Sequence, residues 1–290
     1  MQYHTNILGK IKSQIQRQLT DIYDEREAGN LVSLLVEHYF GISRSELALQ
    51  PDYRLSESEI LQLHFAAKRL LQHEPIQYIL EQASFFGLRL YVTPSVLIPR
   101  QETESLVSEV LSSAKPNTKI LDIGTGSGCI ALALKSKLPN AEVSALDVSE
   151  SAIEIAEKNA RETNLKILLI QDDILNPKRV DQEAQFDIIV SNPPYVTEKD
   201  KSQMNANVLL WEPGQALYVT DEDPLLFYQH ISDFARKHLT TGGQLYFEIN
   251  ENFGTETVHL LTRKGFTDVV LLPDLNGKDR FVKAVFEDRK

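Results

Sequence analysis

Across 290 residues the chain is 42% hydrophobic and 24% charged, the balance of a soluble globular protein, and no apolar run reaches the roughly 18 residues of a membrane span. A net charge of -11 and a pI near 5.2 have the wrong sign for a protein whose affinity comes from neutralising many phosphates. The imbalance is spread along the chain: 8 Lys+Arg stand against 11 Asp+Glu up to residue 85, and 22 against 30 beyond it.

The length predicts one large domain with a smaller companion. The opening stretch, Met1 to Asn6, lacks the basic flank and apolar segment of a secretory signal, so a cytoplasmic protein is expected. The single cysteine, Cys129, agrees, because one thiol builds neither a disulfide framework nor a cysteine-based metal site. None of the seven histidines has metal-ligand spacing with another histidine or with Cys129, and no metal is expected.

Up to about residue 83 the apolar residues recur with helical period. Ile7, Leu8, Ile11, Ile15 and Leu19 share one face, and Leu31, Leu35 and Tyr39 another. Ser56 and Glu59 have the spacing of a capping box, followed by a stripe of Ile60, Leu63, Ala67 and Leu70. A small helical bundle over 1–83 is expected. From about 84 to 97, "SFFGLRLYVTPSVL" alternates around a glycine and predicts a hairpin joining the bundle to a domain over 98–290.

In that domain short β-branched runs alternate with helix-length segments. The candidate strands are Lys119 to Ile123, Val143 to Leu146, Ile167 to Ile170, Phe186 to Val190 and Gln244 to Ile249. Such alternation implies βαβ units and a mostly parallel sheet. Asp268 to Leu272 and Phe281 to Phe286, split by the turn-rich "PDLNGKD", predict an antiparallel pair at one edge.

The first of these strands runs into "LDIGTGSGCIALAL", with Gly124, Gly126 and Gly128 before a helix from about Ser127. Glycines so spaced permit a tight turn and a close ligand approach at a helix N-terminus. The run does not complete the dinucleotide fingerprint, which argues against pyrophosphate binding. Asp147, at the end of the second strand and 19 residues beyond Gly128, suits the two hydroxyls of a ribose. After the third strand, Asp172-Asp173-Ile174 reads either as a solvated loop or as a carboxylate and an apolar face for an adenine.

"SNPPY", Ser191 to Tyr195, ends the fourth strand on the same side. Proline fixes φ and forces its predecessor into an extended conformation, so Asn192 and the Pro193 carbonyl are held rigidly, and neither proline can donate a hydrogen bond. The result is a small acceptor surface, with Tyr195 placed to pack on a planar group. Such a surface suits a planar NH2, a poor nucleophile whose lone pair is delocalised, because accepting its N–H bonds and holding it in line with an electrophilic methyl works by positioning.

These residues resemble class I S-adenosylmethionine-dependent methyltransferases of the amino-methylating kind. More narrowly they resemble the peptide chain release factor N5-glutamine methyltransferases, through "EPIQYI" (Glu74 to Ile79), "FFGL" (Phe85 to Leu88), "LIPRQETE" (Leu97 to Glu104), "DIGTGSG" (Asp122 to Gly128), "SNPPY", "EPGQAL" (Glu212 to Leu217) and "DLNGKDR" (Asp274 to Arg280). The resemblance implies an α/β Rossmann-like sheet, mostly parallel with an antiparallel edge pair, preceded by a helical domain that docks the protein substrate. It implies S-adenosylmethionine as cofactor, with Gly124, Thr125, Gly126, Ser127 and Gly128 beside its methionine part, Asp147 at the ribose, and Asp173 and Ile174 bordering the adenine. Asn192 would serve both cofactor and substrate. Asn192, Pro193 and Tyr195 would carry the catalysis, with Pro194 completing the pocket for the glutamine of a release factor's Gly-Gly-Gln tripeptide. The chain departs from the family pattern at Gln101, where proline is usual, at Trp211, where tyrosine is usual, and at Ile174, where some members carry a large aromatic.

Two other readings compete. One keeps the fold and cofactor but methylates an exocyclic amine of adenine or guanine in nucleic acid; the acidity of both parts opposes it. The other is a cofactor-binding sensor or scaffold without turnover, which would have no use for a rigid amine acceptor. Direct in-line transfer is expected, without metal or covalent intermediate, and Cys129 is read as a small packed residue rather than a nucleophile. Nothing in the sequence demands an interface, so a monomer is expected.

Overall fold

The computed structural model describes residues 3–287 except 275, and Gln203 by its backbone alone. Met1 and Gln2 of the opening stretch and Leu275 of the Asp274–Arg280 motif lie outside it.

The chain forms two compact units, 1–81 with 205–211, and 82–204 with 212–290. The first is helical: α1 (Leu8–Leu19), α2 (Glu25–Phe40), α3 (Arg44–Leu49), α4 (Glu57–Leu70) and α5 (Ile76–Ile79). The predicted stripes are its core, since Leu8, Ile11, Ile15, Leu19, Leu35, Leu63, Ala67 and Leu70 are all fully buried. Burying each large aliphatic contributes about 1.5–3 kcal/mol. The capping box at Ser56 and Glu59 forms, and a second one, Ser43 with Glu46, starts α3. The later segment 205–211 belongs to this unit, where the Trp211 indole N–H donates to the Gln72 carbonyl at 3.0 Å.

The second unit opens with the hairpin of β1 (Gln82–Phe85) and β2 (Leu88–Tyr91). There follow α6 (Gln101–Ser113), β3 (Lys119–Ile123), α7 (Cys129–Lys137), β4 (Glu142–Asp147), α8 (Glu150–Glu162), β5 (Leu168–Gln171) and β6 (Phe186–Ser191). After α9 (Ala206–Trp211) in the helical unit come α10 (Leu226–His238), β7 (Leu239–Glu248), α11 (Gly254–Arg263), β8 (Thr267–Pro273) and β9 (Asp279–Val285). The sheet order is β5-β4-β3-β6-β7-β9-β8, parallel through β7 and antiparallel at the β9–β8 edge. This Rossmann-like arrangement reverses its winding between β3 and β6, the place where open α/β sheets bind ligands. Period-two alternation divides the core. Leu121, Ile189, Leu245 and Phe247 face α10 and α11, while Ile120, Ile188, Val190 and Tyr246 face α6 and α7.

α7 begins at Cys129, two residues later than the sequence suggests, because Gly124, Gly126 and Gly128 all adopt positive φ. At Gly128 a Cβ would also meet Ala156 and Leu132 at 3.2 and 3.3 Å, so glycine there serves the packing of α7 on α8. Gln101 is the first residue of α6, where proline's fixed φ would suit but is not required. Among the described residues no helix is long and apolar enough to cross a membrane.

One buried side chain ties the hairpin to the glycine loop. Asn159 Oδ1 accepts from Tyr91 N (2.7 Å), and its Nδ2 donates to the carbonyls of Tyr91 (3.0 Å) and Ser127 (2.8 Å). Replacing it by Ala strands buried backbone groups, and a loss of about 3 kcal/mol in urea unfolding is expected; a change under about 1 kcal/mol would show that the hairpin is held otherwise.

Candidate active site

The carboxyl ends of β3, β4, β5 and β6 open onto one cavity of about 240 Å³. Its lining brings together Gly124, Gly126, Asp147, Asp173, Ile174, Asn192, Pro193 and Pro194, with Ser95 to Leu97 and Pro213, Gln215 and Ala216 as further wall. Those two outer wall segments are tied by a buried carboxylate: Glu212 Oε1 meets Arg100 Nη2 at 2.6 Å and Oε2 accepts from Ile98 N at 3.3 Å. The motifs "LIPRQETE" and "EPGQAL" therefore meet in space through Arg100 and Glu212.

Not every sequence-predicted residue lines the cavity. Thr125, Ser127 and Gly128 lie behind it, and Thr125 spends its hydroxyl on Asp122 Oδ2 at 2.6 Å. Asp147 sits on the wall, with Oδ2 accepting from Gly126 N (2.8 Å) and Oδ1 from Ser149 N (3.0 Å). It thus shapes the glycine loop as well as facing the ligand space. Burial raises its carboxyl above the ordinary range, against those N–H bonds.

Both members of the Asp172-Asp173 pair line the cavity, but they are held differently. Against the cost of desolvation, Asp172 is held below the usual carboxylate range by the backbone N–H groups of Arg179, Lys178, Asp173 and Val180, so it organises the loop. Asp173 accepts from Leu175 N at 2.9 Å and, with the buried Ile174, reaches the cavity.

At the end of β6, Ser191 Oγ bonds the Ile123 carbonyl at 2.7 Å, and Tyr195 N and Val196 N donate to the Leu217 carbonyl. The two prolines between them are gripped from both sides. Asn192 Nδ2 donates to Thr103 Oγ1 at 3.3 Å, which in turn donates to Glu248 Oε2 at 2.7 Å. Tyr195 does not line the cavity. Its hydroxyl donates to Glu248 Oε1 at 3.1 Å, and its ring packs on the core beneath the site. Glu248, at the end of β7, is buried, and desolvation raises its carboxyl above the ordinary range. Sequence reasoning passed over Glu248, since it ends an apolar strand and carries no motif.

The glycine loop fits a close ligand. A Cβ at Gly124 or Gly126 would meet nothing within 4 Å, so the space beside both is open. Beneath the loop, Asp122 is fully buried with Oδ1 unpartnered, and desolvation raises its carboxyl to about 7. Because the folded pKa lies above the ordinary 3.8, the stability that this proton brings is full below that value and is lost as pH rises through about 7. Denaturation of Asp122→Asn across this range should lack the wild type's decline, a difference of about a few kcal/mol; parallel curves for the two proteins would contradict it.

The family model described as "Methyltransferase small domain" matches residues 101–222, and the "PrmC N-terminal domain" matches residues 11–80. A release factor glutamine methyltransferase of Flavobacterium psychrophilum is 44% identical over 285 residues, 97% of this chain and 99% of the relative. Another from Bacteroides thetaiotaomicron is 42% identical over 277 residues, 96% and 99% of the two chains. Among solved structures, a methyltransferase from Pyrococcus furiosus superposes with a TM-score of 0.52 at 19% identity, covering 76% of this chain and 97% of that one, a likeness of fold. With relatives this similar over nearly their whole length, and the cavity, glycine loop and proline-locked asparagine in place, the chain belongs to the release factor glutamine methyltransferase family.

Proposed function

We propose that the protein transfers the methyl group of S-adenosylmethionine to the side-chain amide nitrogen of the glutamine in a release factor's Gly-Gly-Gln tripeptide. The observation that carries this reading is the end of β6, where Asn192 lies on the cavity wall with its Nδ2 engaged by Thr103, followed by two residues that have no N–H. With Nδ2 turned to Thr103, Oδ1 and the Pro193 carbonyl are the acceptors this strand end can offer, as a primary amide's NH2 requires.

The residues fit the cofactor. Gly124 and Gly126 leave open space for its methionine part, Asp147 would hold the ribose hydroxyls, and Ile174 would cover the adenine beside Asp173. When bound, S-adenosylmethionine supplies an electrophilic methyl on a sulfonium. Asn192 Oδ1 and the Pro193 carbonyl accept the two N–H bonds of the glutamine amide and fix its nitrogen. Orientation and electrostatics then carry the reaction without a strong base. Burial pushes the Cys129 thiol up to about 12, so it stays protonated and takes no nucleophilic part.

On this reading the helical unit docks the release factor, and the enzyme works as a cytoplasmic monomer. The test is transfer of labelled methyl to a purified release factor, to the same factor with its Gly-Gly-Gln glutamine replaced, and to total RNA and DNA. Label on the intact factor alone is expected; label on nucleic acid would overturn the acceptor. Asp147→Ala should weaken cofactor binding about tenfold or more in calorimetry, having lost both its ribose contact and its grip on Gly126. Unchanged affinity would remove Asp147 from the site.

A further inference from the structure

The network behind Asn192 has a direction. An asparagine amide carries an acceptor on one side and two donors on the other, and only the acceptor serves an incoming NH2. Thr103 is buried and offers a single hydroxyl. That hydroxyl's proton is committed to Glu248 Oε2 at 2.7 Å, so toward Asn192 at 3.3 Å its oxygen can only accept. Glu248 Oε1 is likewise met by a donor, the Tyr195 hydroxyl at 3.1 Å. A carboxylate receiving two O–H groups has no proton to give, and this sets the sense of the whole chain.

We infer that Glu248, acting through Thr103, is a positioning residue that fixes which atom of the Asn192 amide faces the methyl acceptor. The inference rests on the acceptor role proposed above for Asn192. With the carboxylate in place, Nδ2 points to Thr103, and Oδ1, on the opposite side of the amide, is left for the substrate on a residue that lines the cavity. Reversing the Thr103 hydroxyl would draw Oδ1 inward and set Nδ2 against the substrate's NH2, donor against donor.

Two substitutions break this order differently. Glu248→Gln offers one oxygen to two O–H donors. If its NH2 meets Thr103, the hydroxyl turns toward Asn192 and the amide reverses. If its oxygen stays with Thr103, Tyr195 loses its acceptor. Thr103→Val keeps the shape and removes the relay, whereas Thr103→Ser keeps the hydroxyl.

The groups facing Glu248 are Thr103 and Glu102 on α6, Tyr195 after β6, and Arg280 on β9, with the Tyr228 hydroxyl of α10 on its main-chain carbonyl and the Cys129 thiol of α7 nearby. Arg280 favours the ionised carboxyl, while desolvation and Glu102 oppose it. Protonation of Glu248 puts a donor into the network, so methyl transfer should fall as pH drops through its raised pKa.

The experiment compares wild type, Thr103→Ser, Thr103→Val and Glu248→Gln in the full chain, following kcat for release-factor methylation against pH and cofactor affinity by calorimetry. Thr103→Val and Glu248→Gln should lose about tenfold to a hundredfold in kcat with little change in cofactor affinity. Thr103→Ser should stay within about threefold of wild type, and Glu248→Gln should lack the acid limb. Equal activities of the Ser and Val variants, or a wild-type kcat in Glu248→Gln, would overturn the inference. The Thr103 pair decides even if Glu248→Gln does not fold. A readout independent of activity is the ¹⁵N side-chain amide signal of Asn192, assigned by its loss in Asn192→Ala. It should shift on acidification in wild type and Thr103→Ser but not in Thr103→Val, and a signal insensitive to pH in all three would contradict the relay. Absence of methyl transfer by wild type itself would fail the proposed acceptor and leave the amide signal to judge the orientation.

Discussion

The site depends on a strand end that can accept hydrogen bonds but hardly donate them. β6 delivers Asn192 beside two residues without N–H groups, and the bonds on either side, from Ser191 to Ile123 and from Tyr195 and Val196 to Leu217, leave it little freedom. A flexible loop bearing the same asparagine would have to be ordered in each catalytic cycle, at a cost of about 1–2 kcal/mol per residue fixed. Here that cost is met in folding, so the proposed acceptor geometry would be present before a substrate arrives.

The same strand ends concentrate buried carboxyl groups. Asp122, Asp147 and Glu248 all have their proton affinity raised by loss of water, yet their tasks differ with their partners. Asp147 grips the glycine loop at Gly126, Asp122 holds Thr125 and the N-terminal turn of α7, and Glu248 receives Thr103 and Tyr195. Acidic residues around the cavity would suit the positive charge of the proposed cofactor. Asp122 and Glu248 do not line the cavity, and Asp147 faces it with both oxygens bonded to backbone N–H groups, which suits the proposed catalysis by positioning.

Much of this was legible in the sequence because it is local. The β-branched runs gave five parallel strands and the edge pair, and a glycine triplet after a strand announced a loop of positive φ. Asn192 could be picked out because proline's covalent geometry acts on its neighbours wherever it occurs. Contacts between distant residues left no such mark. Thr103 and Glu248 are 145 residues apart, and each looks ordinary in its own helix or strand. Asn159 reads as a polar residue on an amphipathic helix, but it is fully buried and ties the hairpin to the glycine loop. Tyr195 carried a motif signal, yet its role depends on Glu248 beneath it rather than on the cavity. The grouping of 205–211 with the helices likewise has no local signature, since its ordering with them depends on packing partners such as Gln72.

The most direct test of the acceptor surface is the rate of methyl transfer at saturating cofactor by Asn192→Ala, measured with its urea unfolding midpoint. A fall of about a hundredfold or more in rate, with the midpoint close to wild type, is expected if the asparagine holds the amide for attack. A rate near that of wild type would mean that the proline-locked strand end is scaffolding and that the methyl acceptor is held elsewhere.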